Sequence, residues 1–470
     1  MLQKIRSFLS SPYYSVLILS VSALSYLLGD ATLVIGMFLL VLLIAATLVT
    51  SDDLAHVFLP VLSVIVLGTT LIGRFELVTP YIPYAYPLIL AVLFHLIAYR
   101  KPFRPGISLY GVLATAAAIL ISGMGNRDAT NYGDPTVIYY LAAMSVGLVL
   151  FYFLFAGEVK RNTGKDRLED FLISLCYVGV LCSVVVVYNL LKWVLGYAGG
   201  TEVNDYYALI PYRNTIANLL ALCLPAPFYF AGYVLKRHSA QVAMFLVGAF
   251  FYATMLMTVA RTAMLFGTVV FICCFIYYLK GRVEWYFKIA GVCVLGVGLV
   301  AFGISVYEPI LELFGSRLQD GLASVGEARW QLFLRSLTDF VEHPIFGIGF
   351  ASSQNSDIYI AEGCISWYHL YFPQIWGSLG LAGCVAFGYQ FVVRLKLVFC
   401  HPTAKTVAVS LSYLALLLYS QTDPGEFVPI PFAALGILMF VLLEHHAEKS
   451  AAACAPAEDS TPPLQESEQI

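Results

Sequence analysis

The sequence predicts an all-α polytopic membrane protein of about 14 transmembrane helices, with one long outer loop that carries an amphipathic helix. Three observations carry this expectation. First, 60% of the 470 residues are hydrophobic and only 12% are charged, with a mean hydropathy of +0.81; a soluble domain carries roughly twice that charge. Second, apolar runs of about 20 residues recur, a length that crosses roughly 30 Å of hydrocarbon. Third, the short connections between alternate runs are basic, the Lys/Arg bias that sets orientation across a bilayer.

The expected spans are 12–29, 31–50, 54–73, 82–99, 106–124, 136–156, 170–195, 214–235, 240–260, 262–279, 286–306, 369–393, 406–422 and 428–443. With both termini cytoplasmic, Arg100 to Arg104, Lys160 to Arg167, Lys236 with Arg237, Lys280 with Arg282, and Arg394 with Lys396 all fall on the cytoplasmic side. The turn at Asp52 and Asp53 has no cation. If 31–50 and 54–73 are not both spans, the count becomes 12. Lys4 and Arg6 precede the first apolar run, with no small-residue cleavage site behind it. The membrane domain is therefore read as 1–445. The tail 446–470, rich in Ala, Pro, Glu and Ser, is expected to be disordered and cytoplasmic.

The long outer loop is read at about 307–368. Ser324 and Glu327 have capping-box spacing. Trp330, Phe333, Leu334, Leu337 and Val341 recur at helical spacing, and Gln331, Arg335, Thr338 and Glu342 line the opposite face. Pro344 ends the helix. Such a helix lies on the membrane surface or roofs a cavity between spans.

Several function classes are excluded or disfavoured. The net charge of −3 does not suggest a nucleic-acid partner. The cysteines sit mostly in spans, as small buried hydrophobes, with Cys364 alone in an outer loop, so no disulfide framework is expected. No spaced Cys/His set or outer carboxylate pair suggests a metal, and no P-loop or GxSxG sequence occurs.

The charges on the outer side carry the chemistry. Of the 26 Lys and Arg residues, the topology puts eight outside: Arg74, Arg127, Lys192, Arg213, Arg261, Arg317, Arg329 and Arg335. Any cation serves orientation, whereas a guanidinium fork grips phosphate with two parallel hydrogen bonds. This bias points to an anionic substrate, a diphosphate above all. Arg213 opens the eighth span and Arg261 sits in a tight turn between the ninth and tenth. Each could snorkel to the headgroups, but lysine snorkels as well and is nearly absent outside. Arg329 lies at the border of the amphipathic helix, where a solvated surface charge is the alternative. His369 opens the twelfth span. A neutral imidazole there could take a proton from a hydroxyl nucleophile, or simply bond a loop carbonyl.

These residues resemble the O-antigen ligase and O-antigen polymerase superfamily of bacterial envelope glycosyltransferases. The resemblance spans about 210–390. It rests on Arg213 with Asn218 and Ala221, on Arg261 in TVARTAML, and on Arg329-Trp330 followed by His343-Pro344-Ile345-Phe346-Gly347-Ile348-Gly349-Phe350. His369 and then Gly377, Gly380 and Gly383 complete it. Leu370 stands where the family often has Asn, Ala260 where it has Ser, and a glycine common after the first arginine is absent. The resemblance implies an undecaprenyl-diphosphate-linked glycan donor, a glycan or lipid-core acceptor, and metal-independent, inverting transfer at the outer face of the inner membrane. It also implies arginines on the diphosphate, a histidine near the acceptor, and no cofactor. Ligase and polymerase differ only in acceptor, and the ligase reading is preferred here. A reading from another class is a lipid-linked-glycan flippase. Transporters carry ionisable residues near the midplane, whereas these span interiors read as nearly uncharged.

Overall fold

A computed structural model describes residues 2–53, 55–71, 75–99, 105–126, 135–160, 167–197, 206, 209–210, 213–293, 296, 329–350, 368–423 and 425–454. Among the described residues the secondary structure is helical, with no strand. Seven helices among the described residues are long and apolar enough to cross a membrane: Asp30–Thr50, Val137–Val159, Arg167–Val194, Arg213–Val234, His238–Met257, Tyr371–Phe399 and Pro429–Ala451. The pair Gln3–Leu9 and Pro12–Leu27, bent by 65°, passes the same test together. Shorter apolar helices, such as Ala55–Thr70, Tyr86–Ala98, Ile107–Leu120, Ala263–Leu279 and Ala404–Ser420, fall where further spans are expected. The expected span 286–306 is described only to 293 and at Gly296, and Arg74, Arg127, Arg317, Ser324, Glu327 and Cys364 lie outside the described residues. Helix continues to Cys454, past the boundary expected at 445. The chain is a multi-pass membrane protein.

The turn at Asp53, which lacks a neighbouring cation in sequence, acquires one in space. Arg167 Nη1 lies 2.7 Å from Asp53 Oδ1, and both side chains are buried. Burying either charge alone would cost several kcal/mol. The turn is thus tied to the start of the helix Arg167–Val194.

Tyr371–Phe399 does not run straight, as the expected span 369–393 requires. Gly380 has φ 61° and ψ −154° and breaks the helix. In a continuous helix Tyr371 and Phe387 would stand about 24 Å apart along the axis; their ring centroids are 6.2 Å apart. The arm before Gly380 doubles back along the arm after it, so the element is a helical hairpin. The second arm alone reaches about 28 Å and packs along Ile107–Leu120. A Cβ at Gly111 would sit 3.2 Å from Gln390 Cα.

The segment Pro344–Phe350 is laced to the elbow of this hairpin by backbone hydrogen bonds. Leu381 N–H donates to Pro344 O and Ala382 N–H to Ile345 O, while Ile348 N–H donates to Gly377 O and Gly349 N–H to Ser378 O. Gly347 has φ 64°, and a Cβ there would fall 2.3 Å from the Ser378 carbonyl carbon. A Cβ at Gly380 would fall 2.6 Å from Gly347 N. These two glycines allow backbone to cross backbone at a left-handed turn, which a side chain would obstruct. The far side of the segment is held by Gly123 N–H to Phe346 O and Phe350 N–H to Ser122 Oγ.

Residues 329–342 form the expected helix, ending ahead of Pro344. Its orientation differs from the sequence reading. The buried line is Leu332, Ser336 and Asp339, while Trp330 is 56% exposed and Val341 76%. The inward polar groups are paired. Trp376 Nε1–H donates to Ser336 Oγ at 2.9 Å, and the Tyr368 hydroxyl donates to Asp339. The apolar stripe faces outward because partners from the hairpin satisfy the polar line, and a bilayer tolerates apolar surface that water does not.

Candidate functional site

The site forms where several helix ends meet. The helix Arg213–Cys223 packs against His238–Met257 and Ala404–Ser420. The Tyr206 hydroxyl donates to Met257 O, tying the approach to Arg213 to the end of the helix that leads to Arg261. The turn before Arg261 is built by Thr258, whose hydroxyl donates to Met255 O and accepts from Ala260 N–H, with Val259 at φ 53°. Arg213 and Arg261 are both partly exposed and share this end of the bundle.

Asn218, one of the residues carrying the resemblance, lies deeper on the same helix. It is buried, and neither amide atom finds a hydrogen-bond partner among the described residues. Leaving such a group unpaired costs about 1–3 kcal/mol.

His369 adopts φ 52°, a strained conformation for a residue with a Cβ. Its neighbours hold it there. Tyr368 N–H donates to Gln374 Oε1 at 3.0 Å, and Gln374 Nε2–H donates to Ser378 Oγ at 2.8 Å. The Tyr368 ring packs against Gly377, where a Cβ would approach Cζ to 2.7 Å, and its hydroxyl is anchored on Asp339. Burial pushes the Asp339 carboxyl above the ordinary carboxylate value, against the opposing pull of the Tyr368 hydroxyl and the Arg335 guanidinium.

The imidazole so presented faces a carboxylate that sequence reading missed. His369 Nδ1 lies 3.8 Å from Asp423 Oδ1, with both side chains about one-fifth to one-quarter exposed (24% and 21%). The other oxygen, Asp423 Oδ2, accepts from the Tyr419 hydroxyl at 2.8 Å and from Asn214 Nδ2–H at 3.5 Å. Asn214 is the residue after Arg213. The charge of Arg329 acts on the Tyr419 hydroxyl. Asp423 therefore joins two parts of the expected site: His369 directly and the Arg213 helix start through Asn214. Arg261 lies four residues past Met257, the helix end that Tyr206 ties to the approach to Arg213. Asp423 sits in a short turn between two apolar runs, where a carboxylate reads as a solvated loop residue. The sequence QTDPGEF did offer a signal, two carboxylates in a turn expected on the outer side.

Beneath His369 lies an aromatic floor and then a buried charge cluster. Phe427 stacks within 5.4 Å of both Tyr371 and Phe387, and Phe350 lies 6.1 Å from Phe427. Below it, Arg394 Nη1 donates to both oxygens of Glu426, at 2.9 and 2.8 Å, and to the Tyr413 hydroxyl at 2.7 Å. This corrects two expectations. Arg394 is not a free cytoplasmic loop charge but is buried and reaches along the bundle. The span interiors are not nearly uncharged.

Among the described residues the protein is helical and multi-pass, and its helix ends carry a histidine, a carboxylate and arginines. Residues 242–388, about a third of the chain, match the family model described as O-Antigen ligase, which supports the O-antigen ligase superfamily. No curated protein matches the chain.

Proposed function

We propose that the protein transfers a glycan from an undecaprenyl-diphosphate-linked donor to a sugar hydroxyl, at the outer face of the cytoplasmic membrane. The family match supports an O-antigen ligase- or polymerase-type transferase acting on lipid-linked glycans. The observation that carries the catalytic assignment is the strained His369 turned toward Asp423 at the helix ends that bear Arg213, Arg261 and Arg329.

In this reading Asp423 orients His369 through Nδ1, leaving Nε2 to accept a proton. The acceptor hydroxyl oxygen attacks the anomeric carbon as its proton passes to Nε2. The bond from that carbon to the phosphate oxygen breaks, and the configuration inverts. Charge develops on the departing diphosphate, where Arg213, Arg261 and Arg329 offset it without a metal ion. The 3.8 Å gap between His369 and Asp423 suits a resting site, since catalytic hydrogen bonds tighten when substrate binds.

The test is transfer by protein purified in lipid nanodiscs, supplied with lipid-diphosphate glycan and acceptor. Alanine at His369, and separately at Arg261, is expected to abolish transfer at normal protein levels. Full activity in both variants would refute the assignment. The buried Arg394–Glu426 pair removes one argument against a flippase, so turnover of donor in detergent, with no second compartment, is the observation that separates the two. In cells, loss of all attached glycan on deletion indicates a ligase, whereas single repeats still attached indicate a polymerase.

A further inference from the structure

The charge cluster beneath the aromatic floor is placed to do more than fill the bundle. Arg394 stands on the second arm of the hairpin, and its guanidinium lies over the Tyr413 and Phe440 rings at 5.2 and 4.9 Å. Its partner Glu426 belongs to the turn that carries Asp423. The backbone of that turn is fixed by Glu426 N–H donating to Ser420 Oγ at 3.1 Å, with Gly425 at φ 48°. The same Glu426 carboxylate accepts from the Tyr371 hydroxyl at 3.3 Å, two residues after His369.

Three chain segments thus converge on one carboxylate: the arm that begins at His369, the arm that returns from Gly380, and the turn that holds Asp423. Burying this ion pair is expensive, and a well-packed apolar substitute is often as stable or more so. An intramembrane charge pair therefore marks function by default.

We propose that the Arg394–Glu426 pair is a positioning device that locks the His369 arm to the Asp423 turn and so sets the distance between imidazole and carboxylate. The proposal rests on the transferase reading, in which that distance matters to turnover. Arg394 and Glu426 lie below the aromatic floor and act through Tyr371 and the turn, not on substrate.

The test uses the full chain in nanodiscs with the double substitution Arg394→Gln/Glu426→Gln, which leaves the net charge unchanged and removes no single partner from a buried pair. Two quantities are read: the kcat and KM of transfer from lipid-diphosphate glycan, and the pH midpoint for carbethoxylation of His369 by diethyl pyrocarbonate, followed by peptide mass spectrometry. Asp423 faces that imidazole, and the Tyr419 hydroxyl and the Asn214 amide bond Asp423. The expected result is a kcat lowered at least about tenfold with donor KM unchanged. The His369 midpoint is expected to fall, and to fall likewise in the control variant Asp423→Asn, because the carboxylate is no longer held beside the ring.

A double variant with the wild-type kcat and midpoint overturns the proposal. If the double variant fails to fold, Glu426→Asp, which keeps the charge and withdraws it by one methylene, is read by the same two criteria, and wild-type values there overturn it equally. If the unmodified protein transfers no glycan, the function reading fails. The carbethoxylation midpoint still decides the positioning claim.

Discussion

His369 is strained, and the strain has named causes. The Tyr368–Asp339 and Tyr368–Gln374 bonds on one side and the start of the hairpin on the other leave the residue at φ 52°. Strain of this kind costs about 1–3 kcal/mol and persists where surroundings over-determine it. Replacing Tyr368 by Phe removes the Asp339 bond while keeping the ring against Gly377. Transfer activity is expected to fall with little change in donor KM, checked by steady-state kinetics on the purified protein. Asp423→Asn is expected to lower kcat at least about tenfold while leaving donor affinity in place, since orientation of a catalytic imidazole acts on the transition state. Asp339 makes a prediction about pH. Its carboxyl is held above the ordinary value, so the folded protein binds that proton more tightly than the unfolded chain does. Stability from this group is greatest below the ordinary aspartate value and declines as pH rises through the raised value. Thermal unfolding of Asp339→Asn should show a flatter pH dependence across that window than the unmodified protein.

At the scale of elements, the hairpin and the segment laced over it dominate. The glycines of the resemblance, Gly347, Gly377 and Gly380, are explained by backbone crossings and by the Tyr368 ring, not by contact with substrate. Gly380→Ala is expected to destabilise the protein by on the order of 1–3 kcal/mol, since neither its φ of 61° nor the approach of Gly347 N can relax by moving a side chain. A lowered thermal midpoint checks this, and an unchanged midpoint would mean that the elbow is not built as described. The helix 329–342 teaches a related point. Its apolar stripe was plain in the sequence, but which face turned inward was set by Trp376 and Tyr368, which come from the hairpin and supply partners for Ser336 and Asp339.

For the whole molecule, the legible part of the sequence was its hydropathy. Expected spans such as 31–50, 170–195, 214–235 and 240–260 fall on helices long enough to cross a membrane, because backbone groups in hydrocarbon must be satisfied within the segment. The span at 369–393 was misread because one glycine in an apolar run does not declare whether it bends the chain. The Asp53 turn looked deficient because its cation, Arg167, is far away in sequence. Replacing Asp53 by Ala leaves Arg167 buried with the half-exposed Asp170 as its remaining acidic partner among the described residues. Loss of a buried partner costs about 3–5 kcal/mol, so this variant is expected to unfold at markedly lower temperature. Any folded fraction should retain its specific activity, since the pair lies outside the candidate site.

The sequence by itself determined the class of protein and its helical content, and it supplied the residue types of the candidate site, because apolar length, charge bias and the arginine, histidine and glycine motifs are properties of local stretches. Only the tertiary structure decided that Asp423 faces His369, that Arg394 is spent on Glu426 and that the twelfth expected span folds on itself. Each of these depends on which helix faces which, and that is settled by packing among residues tens to hundreds of positions apart, where buried charges must find partners wherever the fold supplies them.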